Sequence, residues 1–237
     1  MLRRLIYPVP AWDDALAPTV ETTKGGTHLI HQRAPRGGRT VVYLHGNGSD
    51  LGSITPLAGL FARRGLGFAA VEYPGYGPAA GQRISQAAIL DACRDGLDHL
   101  RSGGLTAAET VLVGESLGSA VAAHLAADGE LRGEGTGRLV LISPFTSMTA
   151  MVQRVVRVFP RWFVPDRWET ETLTDRIDVP TLLVHGSEDS VVPPTMSRVL
   201  AERIPGARRV VVEGRNHNDL WEEPSDCLDA VVDFARG

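Results

Sequence analysis

Apolar residues along the chain fall into six short continuous runs, at 41–44, 67–71, 111–113, 139–142, 181–184 and 210–212. None alternates apolar with polar positions, so each reads as a strand covered on both faces. Between them, apolar residues recur at helical spacing over 54–64, 84–100, 117–127, 195–204 and 225–234. Alternation of this kind predicts a mostly parallel central sheet flanked by helices, an α/β fold. Extended pieces near 19–23 and 29–32 are expected to add an antiparallel edge. A chain of 237 residues can bury one full core, and a single domain over 1–237 is expected.

One interval breaks the rhythm. Between Ile142 and Thr181 the chain is longer than a crossover helix needs, and it carries Phe145, Met148, Met151, Val155, Phe159, Trp162, Phe163 and Trp168, with Pro160 and Pro165. The pattern predicts one helix over about 148–158 within a small lid, 144–178, inserted after the sixth strand. The apolar side chains predict a pocket beneath it, with Phe145, Met148 and Trp162 as candidate substrate contacts. The glycine-rich loop 73–77 reads either as a border of that pocket or as a plain turn.

The sharpest local signal is Gly114-Glu115-Ser116-Leu117-Gly118, set between the run at 111–113 and a helical stretch. A strand-to-helix turn of this composition pushes a serine hydroxyl outward, while the glycines let the two elements approach closely. A nucleophilic serine needs a base and an orienting acid, and on such a turn both come later in the chain. Of the seven histidines, His217 is the one placed after the last strand. The acid falls after the strand at 181–184, where Asp189 is favoured over Glu188, with Asp219 on the histidine's own loop as a further rival. The predicted catalytic set is Ser116, His217 and Asp189.

Acyl transfer also needs backbone N–H donors for the tetrahedral oxyanion, and losing one typically costs on the order of 10²–10³ in rate. The Leu117 amide, at a helix start beside the serine, supplies one. The loop His45-Gly46-Asn47-Gly48, after the strand at 41–44, supplies the other, with Asn47 favoured and Gly48 second.

From about Arg39 to its end the chain resembles the alpha/beta-hydrolase superfamily. His45-Gly46-Asn47-Gly48, Glu72-Tyr73-Pro74-Gly75-Tyr76-Gly77, Gly114-Glu115-Ser116-Leu117-Gly118, Ser143-Pro144-Phe145-Thr146-Ser147 and His185-Gly186-Ser187-Glu188-Asp189 look like its serine-aminopeptidase-like branch, which includes small-lidded esterases and protein depalmitoylases. The resemblance implies a serine hydrolase in which Asn47 gives the second oxyanion amide. One fold hosts many substrates, so substrate class does not follow. The leading expectation is cleavage of short- to medium-chain carboxylic esters or thioesters. An acyltransferase or peptidase using the same triad, or a non-catalytic binding protein, are the alternatives.

Composition narrows this further. A formal charge of −4 and the lack of a long basic block argue against nucleic-acid partners and against an anionic-membrane role, and with no transmembrane run in the sequence no stable membrane insertion is expected. Cys93 and Cys227 are too few for a disulfide framework, and no metal-ligand spacing or dinucleotide fingerprint appears. No cofactor and no metal are expected; the partner is a small-molecule or acylated substrate. Met1-Leu2-Arg3-Arg4 has the charge of a secretion signal, but Pro8 and Pro10 cut short the apolar stretch behind it, so a cytoplasmic protein is expected.

Overall fold

The computed structural model describes residues 6–10 and 19–237, so the charged start Met1-Leu2-Arg3-Arg4 lies outside the described residues. The strands are β1 (Glu21–Thr22), β2 (His28–Gln32), β3 (Thr40–Leu44), β4 (Gly67–Val71), β5 (Thr110–Glu115), β6 (Arg132–Gly133), β7 (Gly135–Thr136), β8 (Arg138–Ile142), β9 (Thr181–Gly186) and β10 (Arg208–Val212). The helices are α1 (Leu51–Arg63), α2 (Gln86–Ser102), α3 (Leu117–Ala127), α4 (Met148–Val155), α5 (Pro194–Arg203) and α6 (Asp226–Arg236). Eight strands form one sheet in the order β1-β2-β4-β3-β5-β8-β9-β10. The β1–β2 and β2–β4 pairs are antiparallel. The remaining pairs are parallel, as continuous apolar runs joined by helices require.

Strand side chains alternate between two cores. On β3, Val42 and Leu44 join the cluster that includes α2 and α3, whereas Val41 and Tyr43 join the one that includes α1 and α6. Cys93 and Cys227 are free, buried and divided between these opposite clusters. The small β6–β7 hairpin lies outside the main sheet and is not foreseen from the sequence, because its polar and glycine residues give no apolar period.

Helix α3 is buried on nearly all sides. The register brings Leu44 of β3 opposite Gly114 of β5, and α3 starts directly above them. A Cβ on Gly118 would lie 1.9 Å from the Leu44 carbonyl oxygen, and one on Gly114 would lie 2.1 Å from the Gly118 carbonyl. Backbone meets backbone here, so the two glycines are required by close approach.

The segment between β8 and β9 holds α4 and two 3₁₀ turns, Arg161–Phe163 and Thr170–Arg176. Helix α4 ends three residues short of the expected 158, because Val156 turns extended at φ −123° and ψ 91° within a β-branched run. Trp168 anchors the base of this insertion. It is fully buried, its Nε1 donates to the Tyr7 hydroxyl at 2.9 Å, and its ring meets His124 edge-on at 5.3 Å. Among the described residues no helix is long and apolar enough to cross a membrane.

Gly118→Ala is expected to lose about 3 kcal/mol of stability in urea unfolding, since the added Cβ meets the Leu44 and His45 carbonyls, which cannot move without disturbing the end of β3. A wild-type midpoint would show that strand and helix are not held this close.

Candidate active site

Ser116 joins β5 to α3 at φ 51° and ψ −112°. A side-chain-bearing residue in that region costs on the order of 1–3 kcal/mol, so its surroundings must hold it. Its amide donates to the Ile142 carbonyl at 2.9 Å, and its own carbonyl accepts from the Ser119 amide at 3.0 Å and hydroxyl at 2.6 Å. The turn leaves the hydroxyl facing His217.

His217 Nδ1 lies 2.8 Å from Asp189 Oδ2, and its Nε2 lies 3.1 Å from Ser116 Oγ. An ionised carboxylate only accepts, so Nδ1 carries the hydrogen of the neutral ring and Nε2 accepts from the serine hydroxyl. Ser116, His217 and Asp189 are thus brought together as one hydrogen-bonded chain. The rival carboxylates lie elsewhere. Glu188 is exposed, and Asp219 accepts from the Asn216 amide at 2.7 Å, shaping the histidine's loop.

Asp189 is held from several sides. Its Oδ1 accepts from the amides of Val191 at 2.9 Å and Val192 at 2.7 Å, while His185 Nε2 approaches Oδ2 at 3.2 Å. Burial by itself would raise the carboxyl's pKa; the bonds from His185, His217 and the Val192 amide hold it well below the carboxylate range. The sequence gives His185 no role of its own beyond opening the motif His185-Gly186-Ser187-Glu188-Asp189. It is buried inside β9, with Nε2 also 2.9 Å from the Val192 carbonyl and Nδ1 without a partner among the described residues. Asn216 carries no sequence signal either. Its Oδ1 accepts from the Ser190 amide and hydroxyl, both at 3.1 Å, and from the His217 amide at 2.7 Å, so one side chain ties the acid loop to the histidine loop.

The loop after β3 lies against the nucleophile turn, where a Cβ on Gly46 would be 3.6 Å from the Ser116 Cβ. The amides of Asn47 and Leu117 donate to no acceptor among the described residues. The Asn47 side chain is fixed instead: its Oδ1 accepts from the Tyr76 hydroxyl at 2.6 Å and its Nδ2 donates to the Ile6 carbonyl. Beneath the loop, buried His45 places Nε2 2.9 Å from Glu72 Oε1. Glu72 also accepts from the amides of Leu51 at 3.0 Å and Tyr73 at 3.1 Å, and the Tyr73 hydroxyl donates to the His45 carbonyl at 3.0 Å. Loop 73–77 therefore braces the Asn47 loop from behind.

An apolar cavity of about 430 Å³ lies along the segment between β8 and β9, with Met148, Met151, Val152 and Phe159 among its lining together with Ile6, whose carbonyl accepts from Asn47 Nδ2. Of the three expected substrate contacts, Met148 lines it and Phe145 is packed into the adjoining core. Trp162 stands instead on the outer surface, 72% exposed and outside the lining, in the 3₁₀ turn Arg161–Phe163, none of whose residues is buried. Among the described residues no group of His, Cys, Asp and Glu is arranged to hold a metal.

A mostly parallel sheet with a strained serine at a strand-to-helix turn fits an alpha/beta-hydrolase fold, and comparison with known proteins narrows the class. A family model described as serine aminopeptidase, S33, matches residues 35–170, and the chain belongs to that family. A second, described as TAP-like protein, matches residues 144–234. The chain is 32% identical over 232 residues to the uncharacterized protein Rv2307c of Mycobacterium tuberculosis, covering 92% of this chain and 80% of that one. Among solved structures it is similar to the esterase EaEST of Exiguobacterium antarcticum (TM-score 0.70, 19% identity, 93% of this chain and 100% of that one). It is also similar to a puromycin-hydrolyzing peptidase of M. tuberculosis (TM-score 0.70, 18% identity, 94% of this chain and 38% of that one).

The depressed Asp189 pKa has a consequence for stability. In the unfolded chain an aspartate titrates near pH ~4, so the stabilisation from ionised Asp189 is complete above that value and is lost as pH falls below it toward the folded value. Asp189→Asn is expected to flatten the decline of the urea midpoint between about pH 4 and pH 2. Parallel profiles for the two proteins would assign that acid sensitivity to other groups.

Proposed function

We propose that this protein is a serine hydrolase that cleaves carboxylic esters or thioesters of short- to medium-chain acyl groups. The observation that carries the reading is the Ser116–His217–Asp189 hydrogen-bonded chain at a strained turn, beside two backbone amides with no internal acceptor among the described residues. Ser116 Oγ attacks the acyl carbonyl carbon while its proton passes to His217 Nε2. Asp189 keeps the imidazole oriented and offsets its charge. The amides of Asn47 and Leu117 hold the oxyanion, aided by the positive end of the α3 dipole. As the tetrahedral intermediate collapses, His217 gives the proton to the departing alcohol or thiol. Water, deprotonated by His217, then attacks the acyl-enzyme and releases the acid.

The esterase neighbours support this reading, as does a cavity that is apolar and within the usual size range of small-molecule sites. The insertion acts as a small lid in this scheme, with Met148 and Phe159 on the acyl chain. The chemistry needs no cofactor, and the setting proposed is the cytoplasm. Peptide cleavage is the second reading, favoured by the family description and by the peptidase neighbour.

Ser116→Ala is expected to abolish turnover across p-nitrophenyl esters from acetate to palmitate, where wild type peaks at short or medium length. Activity retained in that variant would remove the nucleophile assignment. Turnover of aminoacyl p-nitroanilides in place of esters would favour the peptidase. Asp189→Asn should lower kcat by about 10⁴, whereas Glu188→Gln should stay within a few-fold. The reverse order would make Glu188 the acid.

A further inference from the structure

The outer end of the insertion exposes apolar side chains that the described residues do not cover: Val158 at 91%, Val155 at 86% and Trp162 at 72% exposure. Arg154, Arg157 and Arg161 are interleaved with them and are exposed as well. Nearer the base, Arg167 pairs with Glu169 and Arg176 with Asp128. The three outer arginines pair with no carboxylate among the described residues. From residue 135 to residue 165 the sequence holds no aspartate or glutamate, although the whole chain carries a formal charge of −4. The positive charge is therefore concentrated where the apolar exposure is greatest.

We propose that this face docks peripherally on an anionic lipid surface, with Val155, Val158 and Trp162 entering the headgroup boundary and the three arginines meeting lipid phosphates. Water is a poor solvent for such a patch, and an exposed apolar surface with a basic fringe matches the chemistry of an anionic bilayer interface. Tryptophan suits that depth, its ring being apolar at one end and hydrogen-bonding at the other. Self-association through this face is disfavoured, because two copies would bring their arginines together with no acidic side chain paired to them among the described residues. The apolar cavity shares Val155, Val156 and Phe163 with this surface. A chain leaving the bilayer would thus meet apolar lining at once. Docking does not depend on the hydrolase reading.

The test is flotation of the full chain with vesicles of about three parts phosphatidylcholine to one of phosphatidylglycerol, against phosphatidylcholine alone. Wild type should bind the anionic vesicles and be released as salt is raised. The triple variant Arg154→Gln, Arg157→Gln, Arg161→Gln should lose affinity on the order of 100-fold. Val158→Ser with Trp162→Ser, which leaves the charge unchanged, should lose about 10-fold or more. Both variants alter exposed side chains, so urea midpoints at the wild-type value would exclude unfolding as the cause. Ser116→Ala should float as wild type does, so loss of the hydrolase reading would leave docking intact. No binding to anionic vesicles at low salt, or equal binding by wild type and both variants, overturns the proposal. So does a wild-type dimer in sedimentation that Val158→Ser with Trp162→Ser splits, which would make a second copy the occupant.

Discussion

The close approach of β3, β5 and the start of α3 is the constraint on which the site depends. Gly118 lies against the Leu44 carbonyl and Gly114 against the Gly118 carbonyl, so the chain must turn sharply between strand and helix. Ser116 occupies that turn at a positive φ, and the cost of its backbone is met by the core beneath it. The same approach brings the loop after β3 beside the serine. One packing requirement thus places the hydroxyl, the helix N-terminus and the Asn47 amide together.

Buried polar groups then fix the loops around this turn. Glu72 is fully engaged with His45, Leu51 and Tyr73, which leaves the Asn47 loop little freedom. On the other side Asp189 is bonded by His185, His217 and two amides, and Asn216 links the two loops. Removing a partner from such a network leaves a buried group unpaired, which costs more than the bond itself contributes. Rigid loops suit acyl transfer, where donors must already point at the charge that develops.

The insertion between β8 and β9 obeys another logic. Its base is tied down by Trp168, Tyr7 and Gln86, while its outer end leaves apolar and basic side chains in solvent. Residues that stand together in the sequence therefore separate in space. Met148 lines the cavity, Phe145 and Trp168 belong to the core, and Trp162 faces outward. A run of aromatic residues cannot tell these fates apart, because the insertion has no long period to fix which side faces inward.

The strands were legible because a strand covered on both faces must be apolar throughout, and the helices because one face must be apolar at regular spacing. The serine turn was legible because close backbone approach demands glycines at fixed offsets. These are local constraints, and the sequence by itself determined the sheet, the order of its elements and the candidates Ser116, Asp189 and His217. Only the tertiary structure decided which carboxylate meets His217, because Glu188 and Asp189 are adjacent in the chain and differ only in where the loop points them. It also decided the bracing by Glu72, His185 and Asn216, and the outward turn of Trp162. Those roles rest on contacts between residues distant in sequence, and no local pattern encodes such contacts.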